Sequence, residues 1–260
     1  MQTHKPSEPK WTGALVVLAV LLVWEFASRT HAVNPTFFPP FSIVLTTLGR
    51  MVFMSETWES VGSTLLRCFS GYLFACAVGI PAGILMGRSQ RLYFALEPLV
   101  EILRPIPSAA VIPIAILFLG IGDSMKVFVV VYACLWPVLI NSLDGVRSID
   151  PVLIETGKTF ELTRSRFLFH IVIPAASPYF VTGMRVSLAI ALILAITVEM
   201  IAGSNGIGFL ILDSERSFKF TEMYAGVLLI GALGYLVNFL FVRITDRIMK
   251  WHKGFTATFL

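Results

Sequence analysis

Charge is scarce in this sequence: Asp, Glu, Lys and Arg together make up 14% of its 260 residues, against roughly a quarter in an ordinary soluble domain. The 20 basic residues exceed the 16 acidic ones by a net +4 only. They are dispersed rather than gathered on one run, which excludes an electrostatic face for nucleic acid. Cysteine is nearly missing as well. Cys68, Cys76 and Cys134 stand singly inside apolar runs, without C-x-x-C or His-paired spacing. That excludes a disulfide framework and a thiolate metal site, and leaves the three as packing residues. The four histidines, His4, His31, His170 and His252, lie outside the apolar runs, and no H-E-x-x-H occurs, so an intramembrane metalloenzyme lacks its ligands and no metal is expected. All five aspartates, Asp123, Asp144, Asp150, Asp213 and Asp246, fall in loops or at the ends of runs. A secondary transporter driven by an ion gradient, which usually carries mid-membrane carboxylates and inverted repeats, is thereby disfavoured. A phosphate loop of the form G-x-x-x-x-G-K-[ST] is missing too, so the chain does not cradle ATP in that manner, and any ATP-derived work must enter through another subunit.

What the sequence has in abundance is apolar surface, 56% hydrophobic residues with a mean hydropathy of +0.81. A hydrocarbon core about 30 Å thick needs roughly 20 mostly apolar residues per helix, and alternating ten-residue barrel strands do not occur. The expected fold is an all-α polytopic membrane protein of six transmembrane helices, near 11–28, 64–87, 99–121, 124–143, 175–202 and 222–246. The first run is too long for a signal peptide, carries Glu25 and lacks a small-residue cleavage site, so it reads as a retained anchor. Orientation follows from Lys and Arg, which concentrate in cytoplasmic segments. With the amino terminus inside, Lys5, Lys10, Arg88, Arg91, Arg147, Lys158, Arg164, Arg166, Arg243, Arg247, Lys250 and Lys253 are cytoplasmic. Only Arg29, Arg50, Lys126, Arg216 and Lys219 are outside. Both termini are therefore expected in the cytoplasm. The expected organisation is a tail (1–10), a single transmembrane domain (11–250) and a second tail (251–260).

Gly71, Ala75, Gly79, Gly83 and Gly87 recur every four residues in the second span and predict a stripe on which a neighbouring helix packs closely. Pro81 in the same span predicts a local opening of its hydrogen-bond ladder. Pro105, Pro107 and Pro113 predict a broken entry to the third span. Arg67, Arg104, Arg185 and Glu199 are ionisable residues within spans and so are candidates for a substrate pathway; the three arginines lean toward an anion. Arg67 lies one turn inside its span and is placed to snorkel outward. Glu199 precedes AGSNGIG, which reads as a flexible segment.

Between the fourth and fifth spans lies ETGKTFELTRSRFLFHIVIP, residues 155–174, too polar to cross a bilayer. Asp150-Pro151 predicts a helix start, Thr163 a second N-cap, and Pro174 the end of a second short helix from Arg164 to Ile173. Residues 150–174 are thus expected to form a helix-turn-helix elbow on the cytoplasmic surface. Phe160, Phe167 and Phe169 offer aromatic anchors to a partner groove, with Phe160 the strongest candidate.

This segment resembles the EAA loop of bacterial ABC importer permeases, E-A-A, three residues, G, nine residues, I-x-L-P. Glu155, Ile171 and Pro174 stand at the matching spacings, with Ile173 for Leu, Thr156 and Gly157 for the alanines and Glu161 for the glycine. The stretches LRPIPSAAVIPIAILFLGIGDSMK, GVRSIDPVLIETGKT and PAASPYFVTGMRVSLAIALILAITVEMIAGSNGIGFLI extend the resemblance to the nitrate, sulfonate and taurine branch, which also includes bicarbonate and thiamine-precursor importers. The resemblance implies a non-catalytic, multi-pass permease of the bacterial inner membrane, paired with a second copy of itself and embedded in the lipid bilayer. It implies two cytoplasmic ATPase subunits, which bind the ATP and Mg that this chain does not, and a solute-binding protein on the outer side. Glu155, Thr156, Gly157, Lys158, Phe160, Glu161 and Arg164 would then contact or position the ATPase coupling. The implied cargo is a small oxyanion or sulfonate such as nitrate, taurine or an alkanesulfonate; a thiamine precursor or other small organic solute is the alternative.

Overall fold

In the computed structural model, residues 11–249 are described, and the expectations for Lys5, Lys10, Lys250, Lys253 and the two tails lie outside them. The described residues are helical, without strands. They form two compact units, one comprising the chain up to Trp58 with Leu210–Ile230, the other Glu59–Phe209 with the chain from Gly231 onward.

In the first unit, α1 (Trp11–Arg29) leads to α2 (Phe41–Val52). Pro40 at the N-cap of α2 has no side-chain acceptor, and Glu25 supplies one: it accepts from the Ser42 backbone N–H at 3.0 Å and from the Ser42 hydroxyl at 2.8 Å. Trp24 stacks among Phe38, Phe41 and Tyr224, and Val44 and Ala225 are fully buried beside it.

The second unit is built on three long helices, α3 (Ser55–Arg88), α6 (Asp123–Arg147) and α9 (Ile173–Ala202). The four-residue stripe on α3 meets a four-residue stripe on α6. A Cβ on Gly71 would fall 2.5 Å from Val130, on Gly79 2.9 Å from Val138, on Gly83 2.5 Å from Ser142 Cβ and on Gly87 2.7 Å from Val146, while Ala75 is buried in the same core as Cys134. Backbones this close leave no room for a larger residue, which is the physical reason for glycine there. Helix α9 closes on the other side of α6. The Ser187 hydroxyl donates to the Cys134 carbonyl at 2.8 Å, and Gly145 lies under Tyr179. All three cysteines are free and buried, as packing residues.

Helix α3 starts at Ser55, well before the expected residue 64, and is helical throughout, Pro81 included. The third span is broken, as Pro105 and Pro107 predict. Helix α4 (Gln90–Leu103) stops ahead of Pro105, which has no N–H to continue the ladder, α5 (Ser108–Leu119) begins after Pro107, and the two are bent by 96°. Tyr132 donates to the Leu103 carbonyl at 2.6 Å. Four helical stretches, Ser55–Arg88, Asp123–Arg147, Arg164–Ala202 and α11 (Phe220–Ile248), are long and apolar enough to cross a membrane, and the bent pair makes a fifth. Short helices α2 and α10 (Ile207–Arg216), and the first part of α4, are not foreseen in the six-run reading.

Candidate functional site

Two sets of side chains carry the predicted chemistry: the elbow after α6, and the network around Arg67. In the elbow, Asp150 accepts from the Val152 N–H at 2.8 Å, and Pro151 opens α7 (Pro151–Thr159). The helix closes at Phe160 through two backbone bonds, Glu161 N–H to the Lys158 carbonyl at 2.9 Å and Leu162 N–H to the Gly157 carbonyl at 3.2 Å. That closure requires a left-handed residue, and Glu161 takes it with φ of 48°. The position at which the resembled loop carries glycine is thus left-handed in this chain. Glu161→Gly is expected to stabilise the protein by about 1 kcal/mol, raising the unfolding midpoint by about 2–4 °C in a thermal melt. An unchanged or lower midpoint would show that the Glu161 side chain itself holds the turn.

Gly157 is buried, and a Cβ there would meet the Phe167 ring at 2.8 Å and collide with Ile171 Cδ1. The departure from alanine at this position is thus the space that lets α7 lie against α8 (Arg164–Phe167), whose N-cap is Thr163. Opposite Gly157 the helix presents an open face. Phe160 is 75% and Val152 71% exposed, and with Glu155, Thr156 and Thr159 they line a shallow cavity. Glu155 pairs with Lys158 at 2.7 Å across one turn of this face, and Arg164 is exposed.

Pro174 does not end the second helix, contrary to expectation. The chain runs on from Arg164 to Ala202 through a π-helical turn, Leu168–Val172. A wider turn relieves the clash between the proline ring and the carbonyl four residues back, so the helix absorbs the proline where an α-turn would break. One turn later Ser177 donates to the Pro174 carbonyl at 2.9 Å, and Pro178 leaves that carbonyl without its backbone donor.

The second set is buried. Arg67, 3% exposed, does not snorkel: its Nη1 donates to Glu199 Oε1 at 2.6 Å and to the Asn205 carbonyl at 3.2 Å, its Nη2 to Asn205 Oδ1, and its Nε to Asp123 Oδ1 at 2.8 Å. A guanidinium with every edge occupied has no need of the interface. Glu199 is fully buried. It also accepts from the Thr64 hydroxyl at 2.8 Å and the Gly208 N–H at 3.1 Å, while Thr64 accepts from the Ile207 N–H at 2.9 Å. The first N–H groups of α10 are thereby satisfied by a carboxylate and a hydroxyl from other helices. The segment 202–208 is clamped rather than loose. Gly206, with φ of 104°, lies so close to the Glu199 carboxylate that any side chain would strike it, and Gly208 lies equally close to the Ile196 carbonyl. Lys126, read from sequence as an outer-loop residue, is buried in the first turn of α6, 3.5 Å from Asp123. A cavity of about 370 Å³ opens beside Arg67, lined by Ser63, Ser70, Asp123 and Ser124. Of the four span-embedded candidates, the fold brings Arg67 and Glu199 together. Arg104 sits exposed in the turn after α4, Arg185 is exposed on α9, and neither joins the network.

The family described as binding-protein-dependent transport system inner membrane component matches residues 79–252. The chain belongs to this permease family. Its elbow and two of its three long core helices lie within the matched region, and the resemblance read from the sequence is thereby established. The permease is 29% identical to the taurine transport system permease protein TauC of Escherichia coli, over 95% of this chain and 92% of that one. It is 29% identical to the putative aliphatic sulfonates transport permease protein SsuC of Bacillus subtilis, over 94% and 89%. With the bicarbonate transport system permease protein CmpB of Synechocystis the identity is 32%, over 85% and 82%. Among solved structures, the MetNI methionine ABC transporter in inward-facing form matches with a TM-score of 0.66 at 21% identity, covering 75% of this permease and 97% of that chain. The bacterial alginate ABC transporter in complex with its alginate-bound periplasmic protein matches with a TM-score of 0.67 at 13% identity, over 94% and 99%. At those identities the likeness is one of fold.

Proposed function

We propose that this permease forms the translocation pathway of an ATP-driven importer and passes a small oxyanion or sulfonate across the inner membrane. The observation that carries the reading is the open face of α7. Val152, Glu155 and Phe160 point away from the helix's own packing partners, at the position of the family's coupling loop, in a chain without a phosphate loop of its own. Two copies of the permease pair, each contributing α1, α3, the bent pair α4–α5, α6, α9 and α11 as six spans in one permease domain, with both termini and the elbow in the cytoplasm. Two ATPase subunits bind ATP and Mg and grip the elbows, and a solute-binding protein delivers cargo to the opposite face. Closure of the ATPases drags the elbows and rocks the long helices between outward and inward openings. Arg67, Arg104, Arg185 and Glu199 border the route. Taurine, sulfonates and bicarbonate, named for the relatives, are all small anion-bearing solutes. Affinity purification from native membranes tests the reading: a P-loop ATPase is expected to co-purify in a 1:1 ratio with the permease, and isolation of the chain without any ATPase would contradict it.

A further inference from the structure

A second cavity, of about 390 Å³, lies on the other side of the elbow, between α7, α8 and the ends of α3 and α6. Its apolar wall includes Ile149, Leu162 and Phe167, and its polar residues are three cations, Arg88, Lys158 and Arg164. No acid lines it. Arg88 lies over the Phe167 ring at 5.3 Å, and neither Arg88 nor Arg164 joins an ion pair with a described residue. Among the described residues Lys158 is paired with Glu155, on the exposed surface of the same helix.

Two cations without an ion pair among the described residues, and a third whose partner lies on the outer surface of α7, converge on an apolar cavity, a lining that suits an anion with an apolar body. The volume falls within the range of small-molecule sites, roughly 300–1,000 Å³. The cavity also lies at the ends of α3 and α6, two helices long and apolar enough to cross a membrane, and anionic headgroups collect at the ends of such spans. We infer that this cavity binds the phosphate head and upper acyl chain of an anionic phospholipid, which bridges Arg88 on α3 to Lys158 and Arg164 on the elbow. A lipid held there ties the elbow to the spans and stiffens the lever through which the ATPase acts. The inference of a regulatory effect rests on the proposed function; the lipid site itself does not.

The test uses the permease in whatever assembly it is extracted, titrated in detergent with dioleoyl-phosphatidylglycerol and, separately, with dioleoyl-phosphatidylcholine, with bound lipid counted by native mass spectrometry. Phosphatidylglycerol is expected to bind at least about tenfold more tightly than phosphatidylcholine. Arg88→Gln with Arg164→Gln should abolish that preference, Arg88→Gln alone should weaken it several-fold, and Arg166→Gln, off the cavity wall, should leave it intact. Equal binding of the two lipids, or an unchanged preference in the double variant, overturns the inference. Inorganic phosphate competing as well as the whole lipid also overturns it, since the site would then read the free anion without a tail. Lipid bound without any ATPase would leave this site standing and sink the importer reading alone.

Discussion

Arg67→Ala destabilises the protein by about 3–5 kcal/mol, because it leaves Glu199 buried with a charge that nothing else on its Oε1 side neutralises. The magnitude follows from an asymmetry. The intact pair has already met the cost of desolvation with ideal geometry, while a lone buried carboxylate has not. Asn205 loses both of its contacts to the same guanidinium, so the clamp on residues 202–208 loosens together with the pair. Glu199→Gln is milder, since an amide oxygen still accepts from Thr64 or Gly208 and Arg67 keeps Asp123. Denaturant unfolding of wild type, both single variants and the double variant in detergent gives the coupling directly, expected at 0.5–3 kcal/mol or about that range. A loss under about 1 kcal/mol for Arg67→Ala would mean that the network does not hold the helix ends together.

If the elbow docks an ATPase as proposed, Phe160→Ala is expected to lower that binding by about 2–4 kcal/mol, roughly 30-fold to 1,000-fold in affinity. Glu155→Ala removes the charge on the same face and has the same direction of effect. Neither substitution touches the packing of the fold. Phe160 is 75% exposed, and Glu155 has an exposed i, i+3 partner in Lys158, a pair worth little to stability. The unfolding midpoint therefore stays within a degree or two while ATP-driven uptake falls. Reconstituted uptake, measured beside the ATPase content of the same preparation, separates loss of the partner from loss of the fold. Wild-type uptake by both variants would remove the elbow from the mechanism.

The helices most legible in the sequence were those whose pattern is set by their own residues. The α3 stripe from Gly71 to Gly87 faces α6 as its spacing requires, and the prolines at 105 and 107 break the third span where backbone chemistry dictates. The start of α7 at Asp150-Pro151 follows from the same local rules, whereas the left-handed turn at Glu161 does not, since a glutamate carries no local signal for that conformation. What the sequence hid was tertiary. Arg67 and Glu199 are 132 positions apart, and only the fold shows that each is the other's partner, which turned a snorkelling arginine into a buried one and a loose glycine segment into a clamped one. The π turn before Pro174 is similar. A proline signals a break locally, but a wide turn stabilised by burial of Ile171 and Val172 carries the helix through it. Short α2 and α10 carry too few residues for a hydropathy window to resolve, and their ends are held by Glu25 and Glu199 from elsewhere in the chain.

In the proposed function this permease moves its cargo with energy taken from a separate ATPase through the elbow. Uptake of radiolabelled taurine, an alkanesulfonate, nitrate and bicarbonate into proteoliposomes tests it most directly, with the permease reconstituted alone and with its ATPase and binding protein. ATP-dependent accumulation of at least one of these anions is expected only when all three components are present, and is expected to be lost on Phe160→Ala. Accumulation by the permease alone, driven by an ion gradient and indifferent to ATP, would contradict it.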